Sequence, residues 1–156
     1  SDDGQKLALL MTNENGRGNT LSVMDAHTHT LNTIVTTDTL TINAISWSPD
    51  KHNLTYQQSD AQGHTTLHAR DIDQQKELFA LTMQKNLVGW SWSPDSNALV
   101  YSDGGTLHIY TLHGMAIQLP HINATQSYPF WLKDGRILYM NVTHAGGELA
   151  ILAKNT

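Results

Sequence analysis

Apolar residues in this chain recur at every second position over short stretches, and turn residues separate the stretches. Ile45 and Trp47 alternate with Ser46 and Ser48, and Trp90 and Trp92 alternate with Ser91 and Ser93. Leu54 and Tyr56, and Leu99 and Tyr101, stand two apart in the segments that follow. A spacing of two places side chains on one face of a strand, and Val, Ile, Thr, Tyr and Trp dominate these segments, as a pleated surface favours. No window of about 11 residues has a convincing helical period. DIDQQKELFALTMQ (71–84) comes nearest, but its place in the repeat described next matches THTLNTIVT (28–36). It is therefore expected to form a turn, an outer strand and a loop.

The pattern repeats. SWSPDKHNLTY (46–56) returns as SWSPDSNALVY (91–101), and weaker copies stand at FWLKDGRILYM (130–140) and SDDGQKLAL (1–9). Anchored on Asp3, Asp50, Asp95 and Asp134, the copies are 47, 45 and 39 residues apart. Four residues past each anchor stands Leu7, Leu54, Leu99 or Leu138, and six past it Leu9, Tyr56, Tyr101 or Met140. Three before it stands Trp47, Trp92 or Trp131, a stretch the first copy lacks. A glycine followed by Leu-x-(Val/Ala/Ile) comes later in each copy: GNTLSV (18–23), GHTTLHA (63–69), GGTLHI (104–109) and GGELAI (146–151). Each unit thus reads strand, Pro-Asp turn, strand, glycine turn, strand, short turn, strand.

Pro49 and Pro94 fix φ for the first central position of a tight turn, and the Asp that follows can bond nearby backbone N–H groups. Gly4 and Gly135 supply a positive φ after it. Lys51 and Ser96 replace that glycine in the middle copies, so those turns must differ or carry strain. The bulky Trp-bearing face and the small serine face of the first strand suit sheets packed face to face around an axis.

Units of this size and strand count resemble the TolB-like, WD-repeat-like β-propeller family, whose blades carry a W-S-P-D-G-x-x-L-x-(Phe/Tyr) signature. The resemblance covers essentially the whole chain and implies an all-β propeller of four-stranded antiparallel blades. Two matching pentapeptides alone would also be compatible with another antiparallel fold such as a sandwich; the four anchors with consistent offsets argue against that. The expected units are 1–43, 44–88, 89–126 and 127–156 of a single propeller segment (1–156). The first lacks its Trp-bearing strand and the last is truncated, which leaves about three and a half blades, a partial or open propeller. Three readings of that count stand open: a piece of a larger propeller, favoured here; a homodimer whose copies complete one ring; or a small four-bladed closure.

Charge and composition narrow the partners. Nine Lys and Arg against fourteen Asp and Glu give a net charge of −5, and no window gathers basic residues. Nucleic-acid binding by this segment is therefore not expected. The absence of cysteine excludes disulfides and thiolate zinc sites. The longest apolar run, Leu7–Met11, is far short of the roughly 20 residues of a membrane span, so membrane attachment would need an anchor outside these residues. The chain begins with Ser rather than Met, which is read as a processed or engineered start.

The repeat accounts for most of the residues that could carry chemistry. Gly89-Trp90-Ser91-Trp92-Ser93 is a poor nucleophile elbow, because Ser93 stands where Gly is required and no helix follows. Ser91 also matches Ser46. His27 and His29 form the tightest histidine pair, but they fall at an expected turn without a third ligand. His64, His68, His108, His113, His121 and His144 are read as recurring at no matching place. Asp71-x-Asp73-x-Gln75 opens like a calcium loop, yet Lys76 and Thr82 stand at its sixth and twelfth positions, where Gly and Glu are needed. Gly104-Gly105 after Asp103 reads as a hairpin turn. Trp47, Trp92 and Trp131 are expected between blades; Trp90, replaced by Ile45 and Pro129 in other copies, is expected in the core or at a channel mouth. No catalytic, metal-binding or cofactor-binding residue is assigned, and no cofactor is expected.

The expected function is a non-catalytic binding or sensing module with a protein partner. The resemblance implies a bacterial periplasmic setting, as an adaptor or as the sensory end of a membrane-tethered winged-helix transcriptional regulator; a cytoplasmic location is the alternative. An accessory propeller of a prolyl-oligopeptidase-like hydrolase, or of a lyase, is the alternative function.

Overall fold

A computed structural model describes residues 1–14, 18–120 and 124–153. Among these residues every regular element is a strand, and fourteen strands form four antiparallel sheets. The first sheet is β1 (Lys6–Thr12), β2 (Asn19–Asp25) and β3 (Leu31–Thr37). The second is β4 (Thr41–Trp47), β5 (Asn53–Ser59), β6 (Thr65–Asp71) and β7 (Lys76–Thr82). The third is β8 (Leu87–Trp92), β9 (Ala98–Asp103), β10 (Thr106–Thr111) and β11 (Ala116–Gln118). The fourth is β12 (Thr125–Trp131), β13 (Ile137–Thr143) and β14 (Gly146–Leu152). Three, four, four and three strands are what the strand count of the repeat requires, and 71–84 contributes turn and outer strand as expected.

Two compact units divide the chain. One holds residues 1–47 and 51–82, the other residues 48–50 and 83–156. In the first unit Leu21 and Val23 of β2 pack with Ile42, Leu54 and Tyr56 of the second sheet. Ala8, Val35, Ile45 and Trp47 close the edges of that core. In the second unit the fourth sheet meets the third through β12. Trp47 therefore sits between two sheets, as its place in the repeat predicts.

The Pro-Asp turns show why the motif reads S-W-S-P-D. The anchor carboxylate accepts from the serine two residues before it: Ser1 Oγ donates to Asp3 at 2.7 Å and Ser93 Oγ to Asp95 at 2.6 Å. It also accepts from the backbone two residues after it, from Gln5 at 3.1 Å, Asn97 at 3.2 Å and Arg136 at 3.0 Å. Three of the anchors are held below the ordinary carboxylate value: Asp95 chiefly by the Ser93 hydroxyl, Asp134 chiefly by the Arg136 side chain, and Asp3, lowered to about 2, chiefly by Ser1. The residue after the anchor is left-handed in all four copies: Gly4 at φ 72°, Lys51 at 67°, Ser96 at 61° and Gly135 at 88°. The middle turns thus keep the geometry and carry the strain.

Two readings of the repeat need correction. Trp47 pairs with Leu54 and Trp92 with Leu99, but Trp131 pairs with Ile137. The fourth turn is one residue shorter, closing Leu132 N–H on the Arg136 carbonyl where the third closes Ser93 on Ala98. A one-residue slip inverts the faces of a strand. Ile137 and Tyr139 are buried in place of a Leu-x-Tyr pair, while Leu138 and Met140 turn to the other face. The second correction concerns the first strand of each sheet. Ala44, Gly89 and Tyr128, each six residues before an anchor, have φ of 43°, 88° and 51°. The register of β4, β8 and β12 shifts across these positions. A β-bulge is therefore part of the repeat, and it changes which side chains lie on the Trp face.

Candidate functional site

Within the second unit a cleft of about 450 Å³ is lined by the third and fourth sheets and by the Pro94-Asp95 and Lys133-Asp134 turns. Its floor is apolar: Ile109 of β10, Leu119 and Pro120 after β11, Trp131 of β12, Ile137 of β13 and Leu152 of β14. Ile137 and Leu152 are register partners, so one face of the fourth sheet lines it. Asp95, Lys133 and Asp134 stand at its mouth. Asp134 is paired with Arg136 Nη2 at 2.7 Å, and the Trp131 indole N–H donates to the Gly135 carbonyl at 3.2 Å, fixing the ring against the turn. An apolar floor below fixed charges is the usual composition of a recognition pocket. A second cavity, of about 490 Å³, lies at the opposite turns of this unit, between Gly104-Gly105, Thr125, Val142 and His144.

Charges gather on the matching turns of the first unit. Asp73 receives Lys6 Nζ at 2.6 Å and the His52 ring, which together hold its carboxyl below the ordinary value. Lys51 Nζ lies 3.4 Å from Asp3. His52 was not singled out in the sequence, because its partner lies 21 residues away and across a turn.

The residues singled out for chemistry are placed as follows. His27 and His29 are exposed on the turn between β2 and β3, where Asp25 Oδ1 accepts the N–H groups of His27 and Thr28. Asp71 plays the equivalent part between β6 and β7, accepting from Gln74 N–H at 2.8 Å. His64 is bonded to Asp60 at 2.7 Å, His113 and His144 are exposed on turns, and His121 lies outside the described residues. Among the described residues no group of three or more His, Asp or Glu comes together to hold a metal ion. Gly104 and Gly105, at φ 59° and 85°, form the expected hairpin turn. Trp90 is half-buried beside Tyr101 in the register.

Ser91 has a structural task. Its Oγ accepts the Trp131 backbone N–H at 3.1 Å and donates to the Trp92 carbonyl at 3.4 Å. It ties the third sheet to the first strand of the fourth.

The histidines do recur, contrary to the sequence reading. His68 is the register partner of Tyr56 and His108 that of Tyr101, and each pair is stacked, with ring centroids 4.9 Å and 5.3 Å apart. The Leu-His dipeptides after the third-strand glycines carry the signal. Burial, opposed by Glu77, holds His68 below its ordinary value, and its Nδ1 lies 3.8 Å from Glu77 without a hydrogen bond. The unfolded chain takes up this proton near pH 6.5 while the folded chain resists it, so stability is full above that value and falls as pH drops toward the lowered one. His68→Phe is expected to keep the stack and to flatten the fall in melting temperature between about pH 7 and pH 5, as followed by circular dichroism.

Three-to-four-stranded antiparallel sheets in series, each with an Asp-anchored turn closed by a left-handed residue and three of them with a bulged first strand, define the chain as β-propeller blades. No protein-family model matches the sequence, and no curated relative matches it. Solved structures do. The chain is similar to TolB from Acinetobacter baumannii, at 14% identity over 97% of this chain and 39% of that one, with a TM-score of 0.69. It is similar to the β-propeller domain of the Trilobed protease from Pyrococcus furiosus, at 13% identity over 99% and 65%, TM-score 0.66. A structure from a study of two prolyl endopeptidases matches at 12% identity over 98% and 28%, TM-score 0.72. The fold is thus that of TolB and other β-propeller proteins, and the chain spans less than half the length of the TolB and prolyl endopeptidase structures. Among the described residues no helix is long and apolar enough to cross a membrane.

Proposed function

We propose that the chain is a non-catalytic propeller module that binds a protein partner, in the periplasmic part of a bacterial adaptor or of a membrane-tethered winged-helix regulator. The carrying observation is the cleft of the second unit. Its floor accepts one apolar side chain of an extended segment, and the ionised Asp95 at its mouth favours a basic neighbour, Asp134 being already paired with Arg136. Turns presented by a rigid scaffold are well suited to such recognition. The periplasmic setting follows the resemblance to TolB.

The test is selection of peptides from a random display library on the immobilised chain. Selected peptides are expected to combine an aromatic or aliphatic anchor with Lys or Arg. Asp95→Lys is expected to weaken them by roughly tenfold, the effect of losing one charge-assisted contact, measured well below the variant's melting temperature, which is expected to fall because Asp95 also accepts Ser93 Oγ and the Asn97 N–H in its turn. No enrichment, or enrichment indifferent to Asp95→Lys, would reject the proposal. The likeness to the Trilobed protease propeller and to a prolyl endopeptidase favours a second reading, an accessory propeller of a larger hydrolase. A hydrolase domain continuous with the chain in its parent gene would decide for it.

A further inference from the structure

The residue after each anchor is left-handed, a conformation that disfavours L-residues, yet the two middle copies keep a side chain there. Both side chains reach back to the anchor of the copy before. Lys51 Nζ lies 3.4 Å from Asp3 Oδ2, and Ser96 Oγ accepts the Asp50 N–H at 3.0 Å. The fourth copy has Gly135 at this place, with φ 88°. A glycine has no side chain to send to Asp95.

Asp95 is correspondingly open. In Asp3, Oδ1 accepts Ser1 Oγ and the Gln5 N–H, while Oδ2 receives Lys51. In Asp95, Oδ1 accepts Ser93 Oγ and the Asn97 N–H in the same manner. Among the described residues, however, no ion pair reaches this carboxylate, and Lys133 at the same mouth forms none with it. The electrostatics agree. Ser1 above all, and Lys51 with it, lower Asp3, whereas Ser93 above all, then Asn97, lower Asp95 without help from any cation. Asp134 differs, because its Oδ2 already receives Arg136 Nε at 2.8 Å and Nη2 at 2.7 Å. Asp95 and Gly135 both line the cleft of the second unit, in the turns β8–β9 and β12–β13.

We propose that Gly135 leaves open on Asp95 the seat that Lys51 fills on Asp3, and that this seat takes the side-chain ammonium of a lysine in the protein segment bound by the cleft. The seat has this role only if the cleft is a peptide site; it adds the residue that opens the site and the cation the site selects. With Oδ1 engaged in the turn, Oδ2 is left for the ligand. A single oxygen suits a compact ammonium, whereas a guanidinium draws its advantage from engaging two oxygens at once.

Gly135→Lys supplies the absent side chain from within, and Gly135→Met supplies similar bulk and the same backbone strain without the charge. Urea denaturation of both, each with and without Asp95→Asn, tests the seat in the absence of any ligand. Gly135→Lys is expected to have the higher urea midpoint of the two, an advantage lost with Asp95→Asn and in about 1 M NaCl. Peptides from the display selection test its use. Gly135→Lys is expected to bind them roughly tenfold more weakly than Gly135→Met, and replacing the peptide lysine by norleucine is expected to cost wild type about as much. Arginine in place of that lysine is expected to bind more weakly than lysine. Equal midpoints for the two Gly135 variants would overturn the seat. Peptides that respond to Asp95→Lys but bind both Gly135 variants alike, or prefer arginine, would overturn the lysine seat and leave the cleft as a peptide site. A higher midpoint for Gly135→Lys with no peptide enriched at all would reject the cleft as a peptide site, and the ligand role of the seat with it.

Discussion

Gly89→Val is expected to destabilise the protein by about 2 to 3 kcal/mol, read as a lower urea midpoint with an unchanged slope. Gly89 is the bulge residue of β8, with φ 88°. An L-residue held in the left-handed region costs about 1 to 2 kcal/mol, and a β-branched one is a genuine outlier there. A Cβ at this position would also lie 3.2 Å from the Tyr128 Cα, the bulge residue of the neighbouring first strand, and backbone does not yield readily. Loss of glycine freedom in the unfolded chain returns about 0.5 to 1 kcal/mol, which the strain exceeds. The same position supplies the reverse experiment. Ala44, at φ 43° in β4, already bears part of this strain, so Ala44→Gly is expected to be neutral or to stabilise by up to about 1 kcal/mol. If Gly89→Val and Ala44→Gly both destabilised by similar amounts, the bulge would not be a shared element of the repeat.

That bulge also marks the limit of what could be read in the sequence. The strands, the Pro-Asp turns and the short first and last sheets follow from alternation and from the anchors, because a turn needing Pro, Asp and a left-handed residue leaves a visible imprint. Ala44, Gly89 and Tyr128 share no chemistry, so a common backbone conformation at those positions has no common letter. The Tyr–His stacks were missed for a different reason. They join residues 12 and 7 apart in sequence, Tyr56 to His68 and Tyr101 to His108, across hairpins of unequal length. Cross-strand pairing makes them equivalent; linear spacing hides it. In the fourth copy, a turn shorter by one residue moved burial from Leu138 and Met140 to Ile137 and Tyr139. The segment ILYM is apolar at every one of those positions, so alternation could not choose between its faces. The cleft was illegible as well. Asp95 and Asp134 were visible as anchors, but its floor draws Ile109, Leu119 and Leu152 from parts of the repeat that sit far apart in the chain.

Position within the repeat does not by itself set energetic weight, and one substitution made twice shows this. Leu54 and Leu7 both stand four residues after an anchor, at equivalent places in the repeat. Leu54 is 0% exposed in the core with Leu21, Val23, Ile42 and Tyr56, whereas Leu7, in register with Met24 and Leu31, is 43% exposed. Leu54→Ala removes buried methyl groups and leaves a cavity among close-packed neighbours, an expected loss of about 2 to 5 kcal/mol. Leu7→Ala removes surface that water already reaches, so its expected loss is under about 1 kcal/mol. Urea denaturation of the two variants beside wild type measures the difference. Equal losses would mean that Leu7 is packed as closely as Leu54, which would undo the exposure described for it.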